Sequence, residues 1–201
     1  MNARKQRPGL KVGIVGLGVG TLAAFAEPGH VYRFYEINPI CDVAAREYFT
    51  YLSDCLGRAD TVIGDARLVL EQEEPQNFDV LVLDAFSGDA VPAHLLTTEA
   101  FEIYLKHLKP DGVIVVHITN TYLTLDPVVL AIARHHGLEA VRVETTQDAK
   151  HKLERTRYMV LSHDPAQMAD VKGQHNTTGS QDDRHLWSDD FSDLLSVINA
   201  E

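Results

Sequence analysis

Residues 11–20, KVGIVGLGVG, run a short apolar strand directly into Gly16, Gly18 and Gly20. This is the most constraining feature of the chain. Consecutive apolar residues belong to a strand covered on both faces. Glycines at its end let the backbone turn sharply and pass close to a ligand before the next element begins. The rest of the sequence repeats the same grammar. HVYRFYEI (30–37) is the next strand, and Pro39 opens a helix through Tyr51. DTVIGDA (60–66) is a third strand followed by a short helix, and DVLVLDA (79–85) a fourth, nearly all apolar. TTEAFEIYLKHLK (97–109) reads as a helix, Pro110-Asp111-Gly112 as a turn, and GVIVVHI (112–118) as a fifth strand. A helix spans Asp126 to His136, with Gly137 as its C-cap. EAVRVET (139–145) and RYMVLSH (157–163) are closing strands, joined closely enough to pair antiparallel. This alternation predicts an α/β sheet with helices on both faces.

The expected organisation is a lead-in over 1–10, a catalytic domain over 11–165, a flexible loop over 166–185 and a C-terminal segment over 186–201 that packs on the same domain. The loop expectation rests on the Gly, Ser, Thr, Asn, Gln and Asp content of 171–184.

Composition narrows the function. Apolar residues make up 45% and charged residues 23%, as in ordinary globular chains. No apolar run approaches the roughly 18 residues that span a bilayer, and the basic N-terminus has no apolar stretch after it, unlike a secretory signal. Cys41 and Cys55 show neither metal nor redox spacing and read as free thiols of a cytoplasmic protein. The net charge of −11 speaks against nucleic acid and anionic membranes as partners and suits a cationic ligand.

The chemistry-bearing residues sit at strand ends. Gly16, Leu17, Gly18 and Gly20 form the turn after the first strand. Glu36, with Ile37 after it, ends the second strand, where a carboxylate can take two ribose hydroxyls. Asp65 ends the third, where it can accept from an adenine amino group while the Ala66 N–H donates to a ring nitrogen. Asp84 ends the fourth. All face the crevice in which open α/β sheets bind ligands. Any one of these acids could be a helix N-cap; a row of them at successive strand ends points to a site. A dinucleotide enzyme is the weakest reading, because Thr21 stands where the third glycine of GxGxxG would fall. No residues show zinc-ligand spacing, and no nucleophile elbow or P-loop lysine occurs. His117 reads as a strand-end or core residue, with Asn120 and Tyr122 near the pocket.

The stretches VGIVGLGVGTLAAF, YRFYEINP, YFTYLSDC, GDARL, LVLDAFSGDAVPAHLLT and LWSDDFS resemble the polyamine aminopropyltransferases, the spermidine synthases. They are most similar to the spermidine synthase-like domains fused to membrane transporter segments. The resemblance implies a Rossmann-like, class I methyltransferase-type fold with a seven-stranded, mostly parallel sheet. It implies decarboxylated S-adenosylmethionine as co-substrate, a small cationic diamine such as putrescine as acceptor, and a homodimer. In the resembling family the Asp84 position faces the acceptor amine, where it would orient the amine and take its proton. Asp89 would hold the far ammonium, and Pro92 would pack near the adenosyl group. Asp189 and Asp190 form either a cation-binding patch near the site or the acidic first turn of a helix. The sequence departs from the family in three ways: Val19 stands where an acid usually binds the aminopropyl ammonium, Asp84 and Asp89 are spaced more widely than usual, and the family's N-terminal β-domain is not expected within the residues that precede the first strand. Two alternatives stay open. One is a methyltransferase using S-adenosylmethionine, which Val19 favours. The other is a non-catalytic adenosyl-nucleoside-binding module.

Overall fold

A computed structural model of the chain describes residues 9–85, 92–145, 155–172 and 185–198. Seven strands form one sheet: β1 (Lys11–Val15), β2 (Val31–Glu36), β3 (Arg58–Ile63), β4 (Phe78–Leu83), β5 (Leu108–His117), β6 (Glu139–Glu144) and β7 (Arg157–Ser162). Their order across the sheet is β3-β2-β1-β4-β5-β7-β6. β1 to β5 pair parallel, while β7 runs antiparallel to β5 and β6. This is the Rossmann-like arrangement of the class I methyltransferase type. The order reverses beside β1, so the crevice opens above the carboxyl ends of β1 and β4.

Local chemistry sets the helix starts. The Asn38 side chain accepts from the Ile40 N–H and Pro39 occupies the first position of α1 (Pro39–Tyr48). Asp65 caps α2 (Ala66–Gln72) and Thr97 caps α3 (Thr98–Lys106). α4 spans Asp126–His135 and ends before Gly137, whose φ of +65° makes the left-handed exit glycine allows. α5 spans Pro165–Lys172 and so overlaps the first residues of the 166–185 stretch expected to be loop; residues 173–184 of that stretch lie outside the described residues.

Other elements differ from expectation too, among them α3, which stops at Lys106 where the helix was expected to run to Lys109. The glycine turn leads into a five-residue 3-10 turn, Thr21–Phe25, rather than an α-helix. Gly20 at φ +82° and Pro28-Gly29 leave too few residues between them to propagate an α-helix. α1 stops at Tyr48, three residues early. Pro110-Asp111-Gly112 lies inside β5 rather than in a separate turn, but the ladder breaks there: Phe78 pairs with Leu108 and Val80 with Val113. Residues 109–112 bulge out, as a strand carrying a proline must, since Pro110 cannot donate to the ladder.

One core lies between the sheet and α2, α3 and α4, and includes Leu81, Leu83, Phe101, Tyr104, Ile132 and Trp187. The other lies against β1 and β2, with Leu17, Ala23 and Ala45. Trp187 is fully buried, and its carbonyl accepts from the Thr98 N–H at 2.9 Å. Residues 188–191 make a tight turn closed by Ser188 and Phe191, so the acids there do not start a helix. Among the described residues the Trp187 indole N–H has no acceptor. An unmade buried hydrogen bond costs free energy, so Trp187→Phe loses packing and gains back a desolvation penalty. Its expected net cost is under about 1.5 kcal/mol in urea unfolding; a cost of twice that would show that the N–H is satisfied.

Candidate active site

The carboxyl ends of five neighbouring parallel strands meet along one rim. In sheet order they present Asp65, Glu36, the glycine turn, Asp84 and His117. Neighbouring strands lie about 4.8 Å apart, so the row brings three acids onto one lip on either side of the glycine turn.

Gly16 is where β1 leaves the sheet. Its N–H donates to the Tyr35 carbonyl at 2.8 Å and its φ is +100°. A Cβ there would lie 2.3 Å from the Asp84 carbonyl oxygen. The glycine therefore lets β1 and the end of β4 approach closely enough to set Asp84 beside the turn, and the Asp84 N–H donates to the Val15 carbonyl at 2.9 Å. Gly18, at φ +56°, faces open space. Leu17 points into the core, while Val19 is half-buried.

Glu36 is buried and fully engaged on one side. One carboxylate oxygen accepts from the Leu17 N–H at 3.0 Å and the other from the Asn38 N–H at 2.9 Å. It ties the glycine turn to the start of α1, and each oxygen keeps a second lone pair. Ile37 beside it is exposed.

Asp65 is both a helix cap and a rim residue. Its Oδ1 accepts from the Arg67 and Leu68 N–H groups at 2.9 and 3.1 Å. Its Oδ2 lies 3.0 Å from His94 Nε2. Ala66 is buried, and as the first residue of α2 its N–H has no acceptor within the helix.

Asp84 Oδ1 lies 2.8 Å from His117 Nδ1. The His117 ring stacks on Tyr158 at 4.9 Å between centroids. Burial, and then the Asp84 charge, push the Tyr158 hydroxyl above its ordinary pKa. Of the remaining expected site residues, Pro92 begins the short turn Ala93–Leu95, and Asp89 lies outside the described residues.

Asp189 is turned toward the protein. It makes a two-pronged pair with Arg67 and accepts from the Thr97 hydroxyl at 2.9 Å, while its N–H donates to Glu99 at 3.0 Å. The Arg67 guanidinium holds the Asp189 carboxyl below the usual carboxylate range. This pair neutralises a cation that would otherwise offset the acidic rim. Asp190 is exposed beside it.

Sequence reasoning missed His117, His94 and Arg67 as partners of the three acids. For His117 a signal existed: in the parallel register Leu83 pairs with Val116, so the next residues of the two strands, Asp84 and His117, stand side by side. For His94 and Arg67 no local pattern announces the contact.

A cavity of about 270 Å³ lies at the opposite end of the sheet, lined by residues including Leu105, Lys109, Leu138 and Ser162. Two of its polar groups are already used: Lys109 binds Asp79 and the Ser162 hydroxyl donates to the Gly112 carbonyl. Among the described residues no cluster of metal-ligating side chains occurs, and no helix is long and apolar enough to cross a membrane.

Known proteins share this architecture. The chain is 34% identical over 116 residues to a polyamine aminopropyltransferase of Vibrio vulnificus, a match covering 55% of the chain and 37% of that protein. It is 32% identical over 109 residues to an N-terminal histidine N-methyltransferase of Emericella nidulans, covering 52% of the chain and 19% of that protein. The chain thus matches well under half the length of either relative. Among solved structures, a probable spermidine synthase from Corynebacterium glutamicum aligns with a TM-score of 0.59 and 23% identity, over 76% of this chain and 55% of that one. Human methyltransferase-like protein 13, in complex with SAH, aligns with a TM-score of 0.61 and 20% identity, over 88% of this chain and 78% of that one. No family model matches. The fold is therefore one used both by spermidine synthases and by methyltransferases.

Proposed function

We propose that the chain is an aminopropyltransferase: it moves the aminopropyl group of decarboxylated S-adenosylmethionine to a diamine such as putrescine and releases methylthioadenosine. The observation that carries this reading is the acidic rim. The donor is a sulfonium that also carries an ammonium, and the acceptor arrives protonated. Bringing these cations together in a partly dry cleft needs anionic walls, and Glu36, Asp65 and Asp84 provide them while Arg67 is neutralised by Asp189.

Roles follow from position. Glu36 takes the ribose hydroxyls with its free lone pairs. Asp65 and the Ala66 N–H read the base, Ile37 and Pro92 flank it, and the turn from Gly16 to Gly20 passes beneath the sulfonium. Asp84 orients the attacking amine and accepts its proton. The amine nitrogen then forms a bond to the methylene beside sulfur, the C–S bond breaks, and its electron pair stays on sulfur, leaving a neutral thioether. His117, bonded to the same carboxylate, holds Asp84 in its attacking orientation and supplies a site to which the proton can pass. Asp89 holds the acceptor's far ammonium, and Asp190 extends the acidic surface.

A second reading is methyl transfer from S-adenosylmethionine. Val19 favours it, because the glycine turn holds no acid to pair with a propylammonium or to repel a donor carboxylate. Parallel calorimetric titrations with S-adenosylmethionine, its decarboxylated form and methylthioadenosine separate the two. Preference for the decarboxylated donor, with putrescine-dependent release of methylthioadenosine, supports the first reading; preference for the carboxylated donor supports the second.

His117→Gln is the sharper test of the dyad. Glutamine keeps an N–H for Asp84 but takes no proton near neutral pH. It is expected to lower kcat/KM by about tenfold. An unchanged kcat/KM would take His117 out of proton handling.

A further inference from the structure

We propose that His94 is a specificity-determining residue at the base end of the cleft: its imidazole occupies the outward oxygen of Asp65 in the empty site and gives that oxygen up to a nucleoside base bearing an exocyclic amino group. This rests on the reading of Asp65 as the base contact.

The geometry supports an exchange rather than a fixed bond. Asp65 Oδ1 is committed to two backbone N–H groups of α2, which fixes the carboxylate plane. Oδ2 is then the oxygen that α2 does not use, and His94 Nε2 sits 3.0 Å from it. The His94 side chain is 51% exposed against 20% for Asp65, so the imidazole can rotate into water while Asp65 stays in place. The His94 backbone cannot follow. Its carbonyl accepts from Arg67 Nη1 at 2.9 Å, and Arg67 is held in turn by Asp189. A rotating side chain on a pinned turn is a gate with two positions. An adenine amino group and a histidine N–H offer Asp65 the same kind of donor, so one can replace the other. A base with an oxo group at that position offers only an acceptor, gains nothing from Asp65 and leaves His94 where it is.

The charged groups facing His94 are Asp65 on the cap of α2, Arg67 two residues further on, and Asp189 from the C-terminal segment; Glu99 and Tyr104 lie behind Arg67. Arg67 and Asp189 pair with each other, which leaves Asp65 as the group that the imidazole meets.

The test is the affinity for methylthioadenosine, which carries no ammonium or carboxylate, measured by calorimetry on the wild type, His94→Ala and His94→Gln. His94→Ala is expected to bind about fivefold more tightly than the wild type, the scale of one exposed pair, because no side chain has to leave Asp65. His94→Gln keeps a neutral donor on Asp65 and should bind like the wild type, which guards against an alanine variant that misfolds. Methylthioinosine, with the oxo base, should bind the wild type several-fold more weakly than methylthioadenosine and should gain nothing from His94→Ala. Tight binding of methylthioadenosine that is equal in all three proteins overturns the role of His94 and leaves the nucleoside site standing. No binding by any of them overturns both.

Discussion

Asp84→Asn is expected to cut amine-dependent release of methylthioadenosine by about 10²–10⁴-fold, the contribution of a positioned general base, while leaving the protein folded. The substitution preserves shape and removes both the negative charge and the proton-accepting oxygen. The backbone at this position is unaffected in principle, since its contact with β1 runs through the Asp84 N–H and the Val15 carbonyl. The Asp84 side chain is 38% exposed and bonds to His117 at the rim, so its loss does not strand a charge in the core. Affinity for methylthioadenosine should change little, because the ribose and base contacts belong to Glu36 and Asp65. The combination is diagnostic: lost turnover with intact nucleoside binding places Asp84 on the acceptor side. Loss of nucleoside binding as well would place it in the donor pocket and weaken the assignment.

The largest expected effect on stability is at Gly16. Gly16→Ala should destabilise the protein by about 3–5 kcal/mol in urea unfolding, the range of severe single substitutions. Two costs add. A φ of +100° is one that L residues rarely adopt. The new methyl would also lie 2.3 Å from the Asp84 carbonyl oxygen, 2.9 Å from its carbon and 3.1 Å from the Ala85 Cα. All three are backbone atoms at the end of a central strand, so relief requires moving β4 away from β1. Gly18→Ala is the control. Its φ is +56° but nothing lies within 4 Å of the added carbon, so only the backbone cost of about 1–2 kcal/mol applies. Similar losses at both positions would show that the close approach of β1 and β4 does not limit stability. The catalytic consequence follows the structural one, since whatever moves the end of β4 moves Asp84.

Much of the fold was legible because its determinants are local. The apolar runs of β1 and β4 declare strands buried on both faces. Asn38 before Pro39, and Asp65 and Thr97 before α2 and α3, announce helix starts within a few residues of chain. The elements read less well were those where neighbours overrule local preference. The 3-10 turn at 21–25 looked like the start of a helix, but the chain is recaptured too soon for one to form. The Pro110 region looked like a turn, yet its flanks join the sheet and only the middle bulges. The WSDDF stretch read as either a cation-binding patch or a helix start, and it folds as a tight turn whose first acid grips Arg67.

The sequence by itself therefore determined which residues end the strands, and so that Glu36, Asp65 and Asp84 would share one rim. Strand ends are set by short-range patterns of apolar and turn residues, and parallel strands bring those ends together. Only the tertiary structure decided what each acid touches. Asp84 meets His117 from 33 residues away, Asp65 meets His94 from 29, and Asp189 meets Arg67 from 122. Such pairs have no spacing to read, because hydrogen-bond reach of about 3 Å is met only once strand order and register are in place.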